Sequence, residues 1–282
     1  MNKQRIVLAY SGTLAGAGAI AWLRERHGAD VVTLTVDVGQ TEDLEEVRAR
    51  ALASGAIRAH VVDARDAFAL ESVIPALRDG AADPARLRRL PDAVIARTLA
   101  DIARVESAAA VAHASAADAA PVGEAIARAL ARAGLALPVL APAMECAAPG
   151  LDGYARQRGL PGLATRREPH LLVRRAADPA AAPAAAAQLE FAFADDDVPC
   201  ALNGVPMTLP ELIESVSLIA GQYGLGHGEP WPMPGAGVLQ AAYAMRGGRD
   251  GARVAVSAGA FTAIAPTAAA ERTPVGAGAP AK

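Results

Sequence analysis

Directly after the apolar run Ile6-Val7-Leu8-Ala9-Tyr10 the chain reads Ser11-Gly12-Thr13-Leu14-Ala15-Gly16-Ala17-Gly18. Glycine at this density between an apolar strand pattern and a helical pattern (Leu14 to His27) points to chemistry done by backbone. Such a unit aims free N–H groups and the positive end of a helix dipole at an anion, most often a phosphate. Within the turn only Ser11 and Thr13 carry a hydroxyl, and no residue carries a charge. Asp37 ends the second strand pattern, where an acid can grip a ribose or simply cap the next turn. His113 ends a later strand, where an imidazole can touch a ligand or bond backbone.

Other groups that could do chemistry are sparse. Lys occurs only at Lys3 and Lys282, so no interior lysine can clamp a phosphate, form a Schiff base or deliver a proton. Cys146 and Cys200 lack the spacing of a disulfide framework or a metal site. His27, His60, His170 and His227 lack metal-ligand spacing, and no metal ligand is assigned. Asp195-Asp196-Asp197 reads as a solvated hairpin tip, because the spaced ligands of a calcium loop are missing. Arg86, Arg88 and Arg89 form a basic cluster that reads as a solvated face, with an anion or partner surface as the alternative. Trp231, among prolines, reads as a loop anchor.

The elements that must position these residues follow from periodicity. Strands are expected at Ile6–Tyr10, Val31–Val36, Ile57–Val62, Ala108–Ala112 and Pro138–Leu140. Helices are expected at Leu14–His27, Glu42–Ser54, Ala67–Leu77, Asp92–Val105 and Val122–Ala133. This alternation implies an α/β fold with a doubly wound, mostly parallel sheet and its ligand crevice at the carboxyl ends of the strands. An Ala/Pro-rich stretch, Ala176 to Ala187, reads as a linker. Beyond it come strands at Leu189–Phe193 and Val198–Leu202, helices at Leu209–Tyr223 and Val238–Met245, and a strand at Arg253–Ser257. The expected organisation is a nucleotide-binding-type domain (1–175), the linker (176–187), a smaller α+β domain (188–265) and a disordered tail (266–282).

A formal charge of −3 gives no pull toward nucleic acid or an anionic membrane. No apolar run approaches the roughly 20 residues that span a bilayer, and the first residues lack signal-peptide organisation. A cytoplasmic location is the expectation.

The spacing Gly12-x-x-x-Gly16-x-Gly18, with Asp37 downstream, also fits a nicotinamide-nucleotide-binding module of the short-chain dehydrogenase type. That mechanism requires Tyr-x-x-x-Lys, and no Tyr here has a Lys four residues on. More of the chain resembles the argininosuccinate synthase family. The matching runs are Ala9-Tyr10-Ser11-Gly12-x-Leu14, Asp37-Val38-Gly39-Gln40 with Glu42 to Glu46, and Ile102-Ala103-Arg104 through Ala110-Val111-Ala112-His113. Further on come Ala201-Leu202-Asn203-Gly204, Pro210-Glu211-Leu212-Ile213, Ile219-Ala220-Gly221-x-x-Gly224-Leu225-Gly226 and Pro234-Gly235-x-Gly237.

The resemblance implies an adenine-nucleotide alpha-hydrolase-like fold. It also implies an AMP-forming ligation in which ATP activates citrulline's ureido oxygen and aspartate's amine displaces AMP. ATP and Mg²⁺ are the implied cofactors, with Ala9, Tyr10, Ser11, Gly12, Asp37 and His113 as the nucleotide-site residues. A nucleotide or amino acid, a protein partner or a second copy of the chain are the implied partners.

The motifs depart from the family at each ligand site. Thr13 stands for a glycine, where a β-branched residue suits a positive φ poorly. Ala15 stands for an aspartate and Ala17 for a serine. Arg88 to Ala93 replace Thr-Ser-Ile-Ala-Arg-Pro, and Ala117 to Glu124 replace Gly-Lys-Gly-Asn-Asp-Gln-Val-Arg. A charged segment after His227 has no counterpart, nor has the family's C-terminal tetramer extension. Losing two or three charge-assisted contacts weakens binding by about a hundredfold or more. The expectation is therefore a catalytically impaired or repurposed paralogue with no catalytic residue to name, and weak or lost ATP binding. An active ligase with altered contacts is the alternative.

Overall fold

The structure is a computed structural model that describes residues 3–80, 83–116, 119–164, 168–194, 197–230, 232–246 and 251–264. Asp195 and Asp196 of the acidic turn, Trp231, the Ala117-Asp118 pair and the tail expected from 266 lie outside the described residues.

The first half alternates strand and helix. β1 (Arg5–Ala9), α1 (Leu14–His27), β2 (Asp30–Asp37), α2 (Leu44–Ala53) and β3 (Arg58–Asp63) come first. A helical stretch follows as α3 (Arg65–Phe68), a π-turn (Ala69–Val73) and α4 (Ile74–Arg78). Then come α5 (Pro84–Arg88), α6 (Asp92–Val105), β4 (Ala110–His113), α7 (Ala119–Arg132), β5 (Val139–Leu140), α8 (Pro142–Glu145) and α9 (Gly150–Gln157). The strands form one parallel sheet in the order β3-β2-β1-β4-β5. β1 lies at its centre because Val7 and Leu8 are fully buried, one toward each helical layer. The chain leaves β1 toward β2 and later returns to its other side as β4. The carboxyl ends of β1 and β4 therefore flank a switch point, where crevices form in open sheets of this kind.

The second half builds a separate antiparallel sheet. Its elements are β6 (Ala187–Phe193), β7 (Pro199–Leu202), β8 (Val205–Pro206), α10 (Leu209–Gln222), α11 (Pro234–Arg246), β9 (Gly251–Ser257) and β10 (Ala260–Ile264), in the sheet order β10-β9-β6-β7-β8. Alternation sets its faces: Leu189 and Phe191 of β6 and Ala252, Val254 and Val256 of β9 are buried, in one cluster with Leu212 and Val216 of α10. Asn203 and Gly204 take positive φ, 50° and 76°, and turn β7 into β8. Thr208 and Glu211 form a capping box that starts α10.

Part of the segment between the sheets, from His170 to Arg174, is buried. Leu171, Leu172 and Val173 belong to the same apolar cluster as Val7, Leu34 and Phe191. Arg174, 3% exposed, donates to the carbonyls of Gly39 (3.0 Å), His170 (3.1 Å) and Val173 (2.9 Å), and to Glu214 on α10 (3.0 Å). Between residues 176 and 187, Ala177 N–H bonds Gly221 O at 2.8 Å and the Tyr223 hydroxyl donates to Ala185 O at 2.7 Å.

Several elements differ from the expected ones. The helix expected over Ala67–Leu77 contains a π-turn, because Pro75 has no N–H to close an ordinary turn. The helix expected from Val238 begins at Pro234, whose fixed φ suits a first helical turn. Helices α8 and α9 and strand β10 lie where no element was expected.

Candidate functional site

At the carboxyl ends of β1, β2 and β4 lies a cavity of about 290 Å³, near the lower end of the range for small-molecule sites. Ala9, Tyr10, Ser11 and His113 line it, so four of the six expected site residues converge there. Its apolar wall comes from Leu34, Val36, Ile95, Ala96, Val122 and Ile126, contributed by β2, α6 and α7. The residues that sequence reasoning missed are Thr35, Gln40, Glu42 and Asp92, which also line it. Gln40 and Glu42 sit in the β2–α2 turn, and Asp92 opens α6. Nothing in their periodicity marks them as facing a cavity.

Gly12 and Asp37 are not lining residues. Gly12 is the turn's pivot: its φ is +80°, and a Cβ there would meet Val47 Cγ2 at 3.0 Å. Asp37 is consumed locally. Its Oδ1 accepts from Gly39 N–H at 2.9 Å, and its Oδ2 lies 3.5 Å from Arg65. Of the two roles open to it in the sequence, the geometry provides the cap.

The turn itself is built differently from an open phosphate cradle. Thr13 has φ −79° and ψ 159°, so the strain expected there is absent, the positive φ having fallen on Gly12. Thr13 is the N-cap of α1, its Oγ1 accepting from Gly16 N–H at 3.2 Å. Leu163 bridges to the turn, with Leu14 N–H bonded to Leu163 O at 2.9 Å and Leu163 N–H to Gly12 O at 2.8 Å. Gly162 lies so close that a Cβ on it would meet Leu14 N at 2.7 Å. Two of the first-turn N–H groups that would face an anion are thus held by a hydroxyl and a carbonyl of the chain. Among the described residues Ala15 N–H has no acceptor.

The polar groups around the cavity are distinctive. His113 is 3% exposed, its Nδ1 lacks a partner among the described residues, and burial lowers its pKa from the ordinary value. Its imidazole is therefore neutral at pH 7, able to donate from one nitrogen and accept at the other. Tyr10 is 5% exposed with its hydroxyl also unpartnered, and burial, partly offset by Arg50, pushes its pKa up to about 12. Its ring packs against the start of α1, which Gly16 permits: a Cβ there would meet the ring at 2.8 Å. Thr35 Oγ1 donates to Tyr10 O at 3.1 Å, tying the ends of β1 and β2. Glu42 and Asp92 supply carboxylates, and Asp92 accepts from Arg89 Nε at 3.1 Å. Among the described residues no Lys or Arg lines the cavity, and Arg89 lies beside it on Asp92. Among the described residues no three His, Cys, Asp or Glu gather as a metal group. The arrangement can bind a small molecule by hydrogen bonds and apolar contact.

The family described as "Arginosuccinate synthase N-terminal HUP domain" matches residues 5–160, more than half of the chain. Curated relatives agree. The argininosuccinate synthase of Nitratidesulfovibrio vulgaris is 38% identical over 171 residues, covering 56% of this chain and 41% of that protein. That of Brevibacillus brevis is 45% identical over 116 residues, covering 40% and 28%. That of Pelotomaculum thermopropionicum is 31% identical over 260 residues, covering 79% and 63%. The chain spans less than two thirds of the length of each of these relatives.

Proposed function

The chain belongs to the argininosuccinate synthase family, and from that premise we propose a catalytically impaired or repurposed member, which keeps a ligand cavity without ligating citrulline to aspartate. The observation that carries this reading is the occupied turn: Leu14 N–H and Gly16 N–H bond to Leu163 O and Thr13 Oγ1. A polyphosphate would have to displace both acceptors to gain both donors. Ala15 and Ala17 offer it no hydroxyl or carboxylate in return. An AMP-forming ligase needs that anion held in place while charge builds on it, and such electrostatic support is usually the largest catalytic contribution. The residues present fit a nucleoside-sized ligand better than ATP with Mg²⁺.

Incubation with ATP, Mg²⁺, citrulline and aspartate tests the proposal. The expected outcome is no AMP or pyrophosphate above a blank without protein. Stoichiometric formation of both with argininosuccinate would overturn it in favour of an active ligase with altered contacts.

A further inference from the structure

Helices α6 and α7 turn their apolar faces to the core, where Leu99, Ala103, Ile126 and Leu130 are buried. Their outward seam is a groove of about 510 Å³. Its floor is Val94 and alanine methyls, among them Ala100 of α6 and Ala129 of α7. Its rims carry guanidiniums, Arg97 and Arg104 on α6 and Arg128 and Arg132 on α7. Spacings of seven and four residues keep each pair on one face of its helix.

Four cations face two lining carboxylates, Glu71 and Asp101. The arginines are held lightly. Arg97 pairs with Glu71, both side chains being about half exposed. Arg128 lies 3.5 Å from Glu124 within its own helix, and Arg104 donates to Ala133 O. Among the described residues Arg132 has no ion-pair partner. Exposed pairs of this kind are weak, and each guanidinium has five N–H donors, so most of these donors remain open to a ligand. Beyond Glu71 the groove runs on toward α5, where Arg86 and Arg89 lie among Asp83 and Asp92, which balance them. The cationic stretch is the α6–α7 seam.

Three features choose the occupant. An alanine floor lets a backbone approach closely, and a helix with small or apolar residues at i, i+4 and i+7 fills such a seam as a third helix. Guanidinium forks on both rims match carboxylates that flank that apolar stripe. No aromatic side chain lines the groove, so it has no platform for stacking a base, and Glu71 and Asp101 repel a chain made wholly of phosphates. A peptide can place a lysine against them.

We propose that the α6–α7 seam docks an acidic amphipathic helix of another protein, its apolar stripe on the alanine floor and its carboxylates on Arg97, Arg104, Arg128 and Arg132. No residue lines both this groove and the cavity at the strand ends, so docking here is independent of what that cavity binds.

Fluorescence anisotropy tests this with a labelled peptide of about 18 residues, long enough to form helix, with Ala and Leu on one face and Glu on its flanks. Titration with the full chain should saturate with a dissociation constant of about 1–100 μM, and binding should weaken as salt rises. The double variant Arg128→Glu, Arg132→Glu should weaken it by about tenfold or more. Its circular dichroism should match the parent's, since both side chains are exposed. A companion peptide with Lys in place of Glu should bind the variant better than the parent, an exchange that loss of fold cannot produce. No binding of the acidic peptide to the parent below about 1 mM, or equal binding of both peptides, would overturn the proposal. Tighter binding of a single-stranded RNA of about 20 nucleotides, lost in the same variant, would overturn it in favour of nucleic acid.

Discussion

Buried in β4 with its Nδ1 unpartnered among the described residues, His113 makes the protein's stability depend on pH. Burial lowers its pKa in the folded state, whereas the unfolded chain takes up a proton near pH 6.5. Below that value the unfolded state binds more protons, so the contribution of the neutral, buried ring is lost as pH falls. Urea denaturation of the parent and of His113→Asn at pH 7.5 and 5.5 should show a smaller drop in the variant. Glu106 acts in a separate region. Its side chain is 1% exposed, and burial pushes its carboxyl up, but hydrogen bonds from His60 at 2.7 Å and Arg58 at 2.5 Å outweigh that and hold it below the usual range. Its stabilisation is present above the unfolded carboxyl pKa and is lost as pH drops through the folded one. Glu106→Leu should cost about 1–3 kcal/mol at pH 7, read from the denaturation midpoint, because His60 and the partly exposed Arg58 and Arg5 lose their shared acceptor. At this scale the sequence was legible where a residue's place follows from the strand it ends. Ala9, Tyr10, Ser11 and His113 reach the cavity for that reason. Asp37 ends its strand equally well but turns to cap Gly39, because the loop's own N–H groups compete for a short acidic side chain.

Among the elements, α9 shows why part of the molecule was hidden in the sequence. Gly150 and Gly153 weaken its helical pattern, yet it packs closely on α1 because small residues face the contact. A Cβ on Gly18 would meet Leu151 O at 2.2 Å. Gly18→Ala should raise helix propensity and still destabilise the protein by about 1–3 kcal/mol, the cost of overpacking, measurable as a lowered Tm. The opposite case is α1, legible to the residue because its apolar face, its glycine-rich start and Gly28, at φ 60° after its last turn, all agree. The link between the two sheets rests on Arg174. Arg174→Met should cost about 3–5 kcal/mol, since three carbonyls and Glu214 lose their donor. Chemical denaturation checks this. A loss below 1 kcal/mol would mean that the apolar residues around Arg174 join the sheets without it.

For the molecule as a whole, a parallel sheet has a switch-point cavity while the glycine-rich turn after β1 is closed by the chain's own acceptors. The strand and helix patterns carried the fold class, because hydrophobic periodicity is set by the core. The closure of the turn by Leu163 was not legible, since it pairs positions about 150 residues apart in sequence. Of the described residues, no helix is long and apolar enough to cross a membrane. The central claim is that the frame of a nucleotide site persists without its hold on polyphosphate, and titration of the protein with ATP–Mg²⁺ tests it most directly. No saturable heat is expected below about 1 mM ATP, a concentration equivalent to roughly 4 kcal/mol of binding. Saturable binding at micromolar ATP–Mg²⁺, abolished by omitting the metal, would contradict it.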